Sequence, residues 1–273
     1  MKRKRIVCQR RFRALLFVFL LGLQGCGVNR SNTSGELQEN IVEDTQPEEE
    51  DSATVELTDT VRWFNASYGV LTELNGWDYN RFAGLPANEN SALLNQEMLK
   101  EWWDTTDRAS ADETLEWILT EGHRVDFIED MKYIEESGLG QVPIEEREAF
   151  LEENFGLTLK EATFMKNSYA MYEKYGEHAI SGWDYCRAMS LLGFFYLAEY
   201  YTEEEALNKS LEIAQIMQPL FTSWDELMDS YLCGYEYWSE ESSEERRAVY
   251  EDLKGREDSP YKIDYNLVLE KTW

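Results

Sequence analysis

From residue 58 onward, the apolar residues recur with the period of an α-helix. Val61, Phe64, Tyr68, Leu71 and Leu74 have the spacing that places side chains on one face of a helix. Similar segments follow, with glycine or proline at the joints between them. Further helices are predicted at about 92–103, 124–136, 144–154, 158–174, 182–200, 203–218, 224–238 and 243–253. The pattern therefore predicts an all-α fold, a single irregular domain of about eight or nine helices over residues 58–273.

Capping residues support several of these boundaries. Thr202 and Ser223 are predicted N-caps because a glutamate follows each of them three residues later. Residues 110–113 have the pattern of a capping box and would open a helix at Thr114. Gly122 is predicted to end that helix in the left-handed conformation, which glycine adopts at no steric cost.

The tail at 261–269 is the only part of the body whose polarity alternates as in a β-strand. Alternation of this kind places successive side chains on opposite faces of an extended chain. Two interpretations follow, a short strand or an extended segment without strand pairing.

Residues 1–25 have the layout of a secretory signal. They contain seven basic residues and no acid, and the apolar run at 14–23 is about ten residues long. A membrane span needs roughly 20 apolar residues, so this run is too short to be one. The segment is predicted to be removed from the mature protein and to take no part in the fold.

The apolar run ends in Leu23-Gln24-Gly25-Cys26, which resembles the lipobox of bacterial lipoproteins. Gln24 departs from the small or aliphatic residue usual at its position. The resemblance implies that the Cys26 thiol receives a diacylglyceryl group and that cleavage just before Cys26 makes it the acylated N-terminus. An ordinary signal peptide cut nearby, or an uncleaved anchor, is the alternative.

Residues 26–57 are predicted to be a flexible acidic tether, because they contain no aromatic residue and only scattered apolar ones. The whole chain carries 26 Lys and Arg against 54 Asp and Glu, a net charge of -28. Removal of the seven basic residues in 1–25 would change this charge to -35. Such a chain is not expected to bind nucleic acid through its own surface. Attachment to the membrane would therefore depend on the lipid on Cys26.

One short pattern occurs twice in the body. Residues 76–81 and 182–187 agree at five of six positions, with Asp78 and Arg81 matching Asp184 and Arg187. Their flanks differ, so we interpret the pair as two helix starts with the same capping solution. Each aspartate would then lie in the first turn, where a carboxylate interacts favourably with the free N–H groups.

These charged residues suggest a candidate polar cluster for a small anionic or polar ligand. Asp78, Arg81, Asp184 and Arg187 would meet His123 and Arg124, which follow the predicted helix end at Gly122. The alternative is a set of separate local caps and ion pairs with no common site.

Cys186 and Cys233 would be the cysteines left outside the cytoplasm after removal of the signal and acylation of Cys26. Disulfides persist in that compartment, so one hypothesis is a bridge between helices 182–200 and 224–238. The alternative is two buried thiols that pack as small hydrophobic groups.

No pattern of a metal site or of a known catalytic nucleophile stands out. The two histidines, His123 and His178, lack the spacing of zinc ligands, and the chain has no phosphate-binding glycine loop. We therefore expect no metal and no cofactor. Carboxylates and tryptophans in a cleft would suit a glycosidase, but helical spacing more often places aromatic residues in a core.

Several short stretches of the body, taken in order, are similar to a bacterial family of unknown function, DUF1266. The stretches are 115–119, 122–124, 183–187, 203–206, 221–224 and 231–235. The similarity covers roughly residues 90–240. It implies a helical fold and supplies no activity, cofactor or catalytic residue.

The sequence thus predicts a bacterial lipoprotein anchored through Cys26 on the extracytoplasmic face of a cell membrane. Its body is expected to bind a protein or another envelope component without catalysing a reaction. The alternative is a hydrolase or small-ligand-binding domain that uses acidic and Trp residues in a cleft.

Overall fold

The computed structural model describes residues 56–273, and all regular secondary structure in that range is helical. The all-α prediction is therefore confirmed. The α-helices are α1 (Asp59–Ser67), α2 (Gly69–Leu74), α3 (Glu89–Trp103), α4 (Arg108–Thr120), α5 (Arg124–Glu136), α6 (Arg147–Phe155), α7 (Leu159–Tyr175), α8 (Ser181–Leu197), α9 (Glu203–Met217), α10 (Trp224–Ser239) and α11 (Glu244–Gly255). Short 3₁₀ turns lie at Leu139–Gln141, Ile144–Glu146, Gly176–His178, Gln218–Leu220 and Pro260–Lys262.

The first predicted helix is two helices, because the chain breaks at Tyr68. The backbone of Tyr68 leaves the helical conformation, with φ -117° and ψ 19°. Its hydroxyl donates to Oδ1 of the buried Asn65 at 2.6 Å. At Gly69, which begins α2, a β-carbon would lie 3.2 Å from the hydroxyl oxygen of Tyr261, so the missing side chain allows the C-terminal tail to approach.

Local capping sets most helix starts. Thr202 and Ser223 accept hydrogen bonds from the backbone N–H groups of Glu205 and Glu226, as predicted. The capping box of α4 was placed wrongly, because Asp107 is the N-cap and Ser110 is the third helical residue. Asp107 Oδ1 accepts from the Ser110 N–H at 2.9 Å, so α4 begins at Arg108.

Helix α8 lies at the centre of the body. Nearly every one of its residues is buried, and it packs against α3, α4, α9 and α10 in the larger of two hydrophobic clusters. A second cluster joins α5, α6 and α7 around Phe127, Met131, Leu151 and Tyr169. An apolar helix surrounded by other helices is the expected centre of such a fold.

The C-terminal tail has no helix after the 3₁₀ turn at Pro260–Lys262, turns once more at 265–266 and forms no strand with any described residue. Side chains of the helices hold it by its backbone oxygens instead. Trp63 Nε1 donates to the carbonyl of Tyr265 at 2.9 Å, and Trp224 Nε1 donates to that of Ile263 at 2.8 Å. The alternating pattern at 261–269 therefore does not mark a strand, and the prediction of an extended segment fails over the 3₁₀ turn at its start and the turn at 265–266.

Among the described helices, none has both the length and the apolar character needed to cross a lipid bilayer. The predicted signal at 1–25, the lipidation site Cys26 and nearly all of the predicted tether at 26–57 lie outside the described residues.

Candidate functional site

Asp184 lies at the centre of a charged cluster formed where α4, α5 and α8 meet. Its side chain is 0% exposed. Its carboxylate accepts hydrogen bonds from the backbone N–H groups of His123 and Arg124, at 3.0 Å to Oδ2 in each case. Asp184 therefore caps the N-terminus of α5 and not the helix to which it belongs.

Gly122 makes this close approach of the two helices feasible. Its φ is +57°, which confirms the predicted left-handed residue at the end of α4. A β-carbon at Gly122 would lie 2.2 Å from Oδ2 of Asp184. Any other residue at position 122 would therefore displace the Asp184 carboxylate.

The Arg124 guanidinium joins Asp184 to the last turn of α4. Nη1 lies 3.1 Å from Asp184 Oδ2 and donates to the carbonyl of Ile118 at 2.7 Å, while Nη2 donates to the carbonyl of Leu119. The guanidinium also lies over the ring of Tyr185, 5.2 Å from its centroid. Arg124 thus satisfies carbonyls that a helix end leaves without intrahelical partners.

Arg187 completes the cluster from the next turn of α8. Its guanidinium lies over the rings of Trp103 and Trp183, 4.5 and 4.6 Å from their centroids. Burial lowers the pKa of Arg187 to about 10, although the nearby Asp184 charge raises it. The side chain remains a cation at neutral pH, held by two indole faces.

One ring nitrogen of His123 lies between the Arg187 guanidinium and the Asp184 carboxylate. Nδ1 is 3.1 Å from Arg187 Nη1 and 3.5 Å from Asp184 Oδ1. Because arginine only donates hydrogen bonds, a hydrogen bond from Arg187 would need an unprotonated Nδ1. A protonated Nδ1 would donate to Asp184 instead.

The cluster stabilises the charged form of Asp184. Burial raises the pKa of its carboxyl, but hydrogen bonds from His123 and the positive charge of Arg187 outweigh burial and hold the pKa below its usual value. Apart from His123, the two arginines and one aspartate carry a net charge of +1. The geometry ties three helices together and leaves the carboxylate no open position for a ligand.

Two members of the predicted polar cluster lie elsewhere. Asp78 and Arg81 are exposed in the turns that follow α2, and Asp78 Oδ1 accepts from the backbone N–H of Asn80 at 2.9 Å. The repeated pattern also predicts two helix starts with Asn75 and Ser181 as their N-caps. The first is wrong, because Asn75 ends α2 and residues 76–81 form turns. At the second a helix does begin, but Ser181 is the first residue of α8 and not its N-cap.

Cys186 and Cys233 are free, buried thiols, so the structure contains no bridge between them. Cys186 belongs to the cluster around α8, whereas Cys233 belongs to the one around α5 to α7. Burial raises the pKa of the Cys233 thiol to about 12 and that of the Cys186 thiol further still. Both sulfurs therefore stay protonated and pack as apolar groups.

A pocket of about 590 Å³ lies apart from the charged cluster, where α7 meets the end of α5 and the turn at Leu139–Gln141. Glu135, Tyr169, Tyr172 and Glu173 line it. Sequence reasoning missed this pocket. The only sequence signal was the spacing of Tyr169, Tyr172 and Glu173 on one helical face, which core residues share.

A second pocket of about 560 Å³ is lined by residues that include Gln96, Arg108 and Tyr200. The Arg108 guanidinium forms an ion pair there with the Glu205 carboxylate, with a nitrogen–oxygen distance of 3.0 Å. Across residues 56–273, no three His, Cys, Asp or Glu side chains lie close enough together to hold a metal ion.

Comparison with known proteins supplies a family and no activity. Neither the curated proteins nor the solved structures include a significant match to the chain. The sequence model of a family described as "Protein of unknown function (DUF1266)" matches residues 98–265, which is more than half of the chain. The match includes α4, α5, α7 and α8, and hence both the charged cluster and the pocket at α7. The chain therefore belongs to the DUF1266 family.

Proposed function

We propose that the protein is a bacterial lipoprotein on the extracytoplasmic face of a membrane, whose helical body binds a protein or another envelope component without catalysis. One observation carries the anchor: a basic segment, a short apolar run and Leu23-Gln24-Gly25-Cys26 follow each other in that order. An acidic stretch without aromatic residues then separates Cys26 from α1.

The charge of the chain supports a lipid anchor. Residues 26–273 would carry a net charge of -35, and anionic lipids repel such a body. Each buried methylene of an acyl chain contributes about 0.8 kcal/mol, so two or more chains hold a protein stably. Acylation of Cys26 would therefore supply the attachment that the body cannot.

The charged cluster supports a binding role for the body. Asp184 and Arg124 use their hydrogen bonds to connect helices, and Arg187 is held by two indole rings. These buried groups fix the helices relative to one another, and a rigid body has less to order on association with a partner.

The anchor is tested by Cys26→Ser in the full chain expressed in a bacterial host. We expect the unchanged protein to incorporate radiolabelled palmitate and to fractionate with membranes, and Cys26→Ser to lose both properties. Cys8→Ser is the matched control and should keep both. Membrane retention of a cleaved Cys26→Ser protein would contradict the proposal.

The binding role is tested by capture from detergent-solubilised membranes. The lipidated protein and Cys26→Ser should retain the same envelope component, because the body carries the binding surface. Repeated failure of capture, together with turnover of any substrate by the purified protein, would contradict the binding role and favour a catalytic one.

The pocket at α7 favours small-ligand binding as a second candidate function. Its aromatic residues are tyrosines and not the tryptophans expected for a hydrolase cleft. Arg147 holds Glu173 through two hydrogen bonds, of 2.6 and 2.9 Å, so this carboxylate is not free to act as an acid or a nucleophile. Ligand binding therefore fits the pocket better than hydrolysis by a pair of carboxylates.

A further inference from the structure

The pocket at α7 has carboxylates and tyrosines on its wall and no basic side chain. Glu135, Gln141, Tyr169, Tyr172 and Glu173 line it. Its volume of about 590 Å³ falls in the range typical of small-molecule sites. Such a wall offers negative charge, hydrogen-bond acceptors and aromatic faces, which together suit a cation.

The basic residues around the pocket are already neutralised. Arg147 pairs with Glu173, and Lys132 Nζ lies 2.5 Å from Oε1 of Glu177. The side chain of Glu135 forms no ion pair with any described residue. The pocket and its neighbours therefore carry one uncompensated negative charge, on Glu135.

Tyr169 provides a second, independent indication of a ligand. It is only 2% exposed, yet its hydroxyl forms no hydrogen bond with any described residue. The hydroxyl oxygen lies 2.8 Å from the position that a β-carbon at Gly140 would occupy, which places it at the pocket wall. The hydroxyl oxygen is not fully buried, so it faces the open space of the pocket, where a bound donor can reach it.

Burial, reinforced by the charges of Glu173 and Glu135, raises the pKa of Tyr169, so its hydroxyl stays neutral. The neutral oxygen retains lone pairs that can accept a hydrogen bond. The Tyr169 ring is buried beneath the Arg147 guanidinium, which lies 5.4 Å from its centroid, so the aromatic surface open to a ligand is that of the partly buried Tyr172.

We propose that this pocket binds a small organic cation through its primary ammonium group. The ammonium would donate to the Glu135 carboxylate, the Tyr169 hydroxyl and the amide oxygen of Gln141, using the three N–H donors that such a group carries. Its carbon chain would lie against the ring of Tyr172. This inference rests on the second candidate function, ligand binding by the body, and is independent of the anchor at Cys26.

The test compares n-butylamine with n-butanol, which has similar size and no charge. Saturation-transfer NMR on the full-length protein in detergent measures both affinities at pH 7. Glu135→Gln should weaken butylamine binding by about three- to tenfold, because it removes one charge-assisted hydrogen bond at a partly solvated site. Butanol binding should change by less than about twofold, since no charge is lost from that contact.

Matched controls separate the pocket from general electrostatics. Glu136→Gln removes the neighbouring exposed charge outside the pocket and should leave butylamine binding within about twofold of the original. Tyr169→Phe should weaken butylamine binding by about two- to fivefold, because only the unpaired hydroxyl is lost. Tyr133→Phe, on the same helix as Glu135, should have no effect.

The proposal is overturned if the unchanged protein does not bind butylamine, if butanol loses as much affinity as butylamine on Glu135→Gln, or if Glu136→Gln has an equal effect. A failed cation test combined with correct lipidation and partner capture would leave the anchored binding module intact. Selective butylamine binding by a protein that is not lipidated would support the cation pocket and contradict the lipid anchor.

Discussion

The same six-residue pattern folds in two different ways in this protein. Residues 76–81 form turns after α2, where Asp78 and Arg81 are exposed. Residues 182–187 lie in the first two turns of α8, where Asp184 is 0% exposed and the Arg187 guanidinium lies over two indole rings. The first aspartate organises its own turn, whereas the second caps a helix 60 residues away in the chain.

The neighbouring helices account for the difference. Residues 182–187 pack against α4, α5 and α10, which bury the carboxylate and supply its donors. The turn at 76–81 is held mainly by its own backbone and by the amide of Asn65, which donates to the carbonyls of Tyr79 and Arg81. Identical local chemistry therefore contributes little stability at the surface and much more in the core.

The largest expected effect comes from removing the buried charge. Asp184→Asn should lower the free energy of unfolding by about 3 kcal/mol or more, because two arginines lose their common anion and three hydrogen-bond donors lose a charged acceptor. Asp78→Asn, at the exposed copy, should change it by less than about 0.5 kcal/mol. Urea unfolding of both variants measures the contrast. Equal effects would mean that the two copies do not differ in burial as described.

Gly76 and Gly182 are the first residues of the two copies of the pattern, and their substitution should give a stability difference of intermediate size. A β-carbon at Gly182 would lie 2.6 Å from the carbonyl oxygen of Leu227 and 2.9 Å from the N–H of Tyr231, so Gly182→Ala should cost about 2 kcal/mol by pushing α8 from α10. Gly76→Ala meets no atom within 4 Å and should cost about 1 kcal/mol through its φ of +67° alone. Thermal unfolding compares them, and a larger loss for Gly76→Ala would contradict this packing.

The smallest expected contrast is in the response to acid. The folded-state pKa of Asp184 lies below the unfolded value of about 3.9, so its contribution to stability is complete above that pH and is lost as the pH falls through the folded pKa. Asp184→Asn should therefore show a shallower loss of stability below about pH 4 than the unchanged protein. Urea midpoints between pH 3 and 6 measure the slopes. Parallel slopes would exclude Asp184 from the acid response.

Features that depend only on residues close in the sequence were predictable. The helix at 124–136 has the predicted bounds, and Thr202 and Ser223 are N-caps, because period and capping are set within a few residues. The sequence did not decide whether the charged side chains form one cluster, because this depends on how α8 crosses α4 and α5. The structure brings together His123, Arg124, Asp184 and Arg187. The roles of Asp78 and Arg81 could not be separated from those of Asp184 and Arg187 for the same reason.

The pocket at α7 was even harder to predict from the sequence. Tyr169 and Tyr172 have the spacing of core residues, and nothing nearby in the sequence marks Glu135, which is 34 positions before Tyr169, as their neighbour. Only the packing of α5 on α7 brings these side chains together.

The binding of the tail by Trp63 has a consequence for the order of folding. Trp63 and Tyr265 are 202 residues apart, yet the first helix of the body packs against the final segment. During vectorial synthesis that helix lacks its partner until the end of the chain has emerged. Contacts of such long sequence separation slow folding, so the body cannot complete its core until the segment around Tyr265 is available.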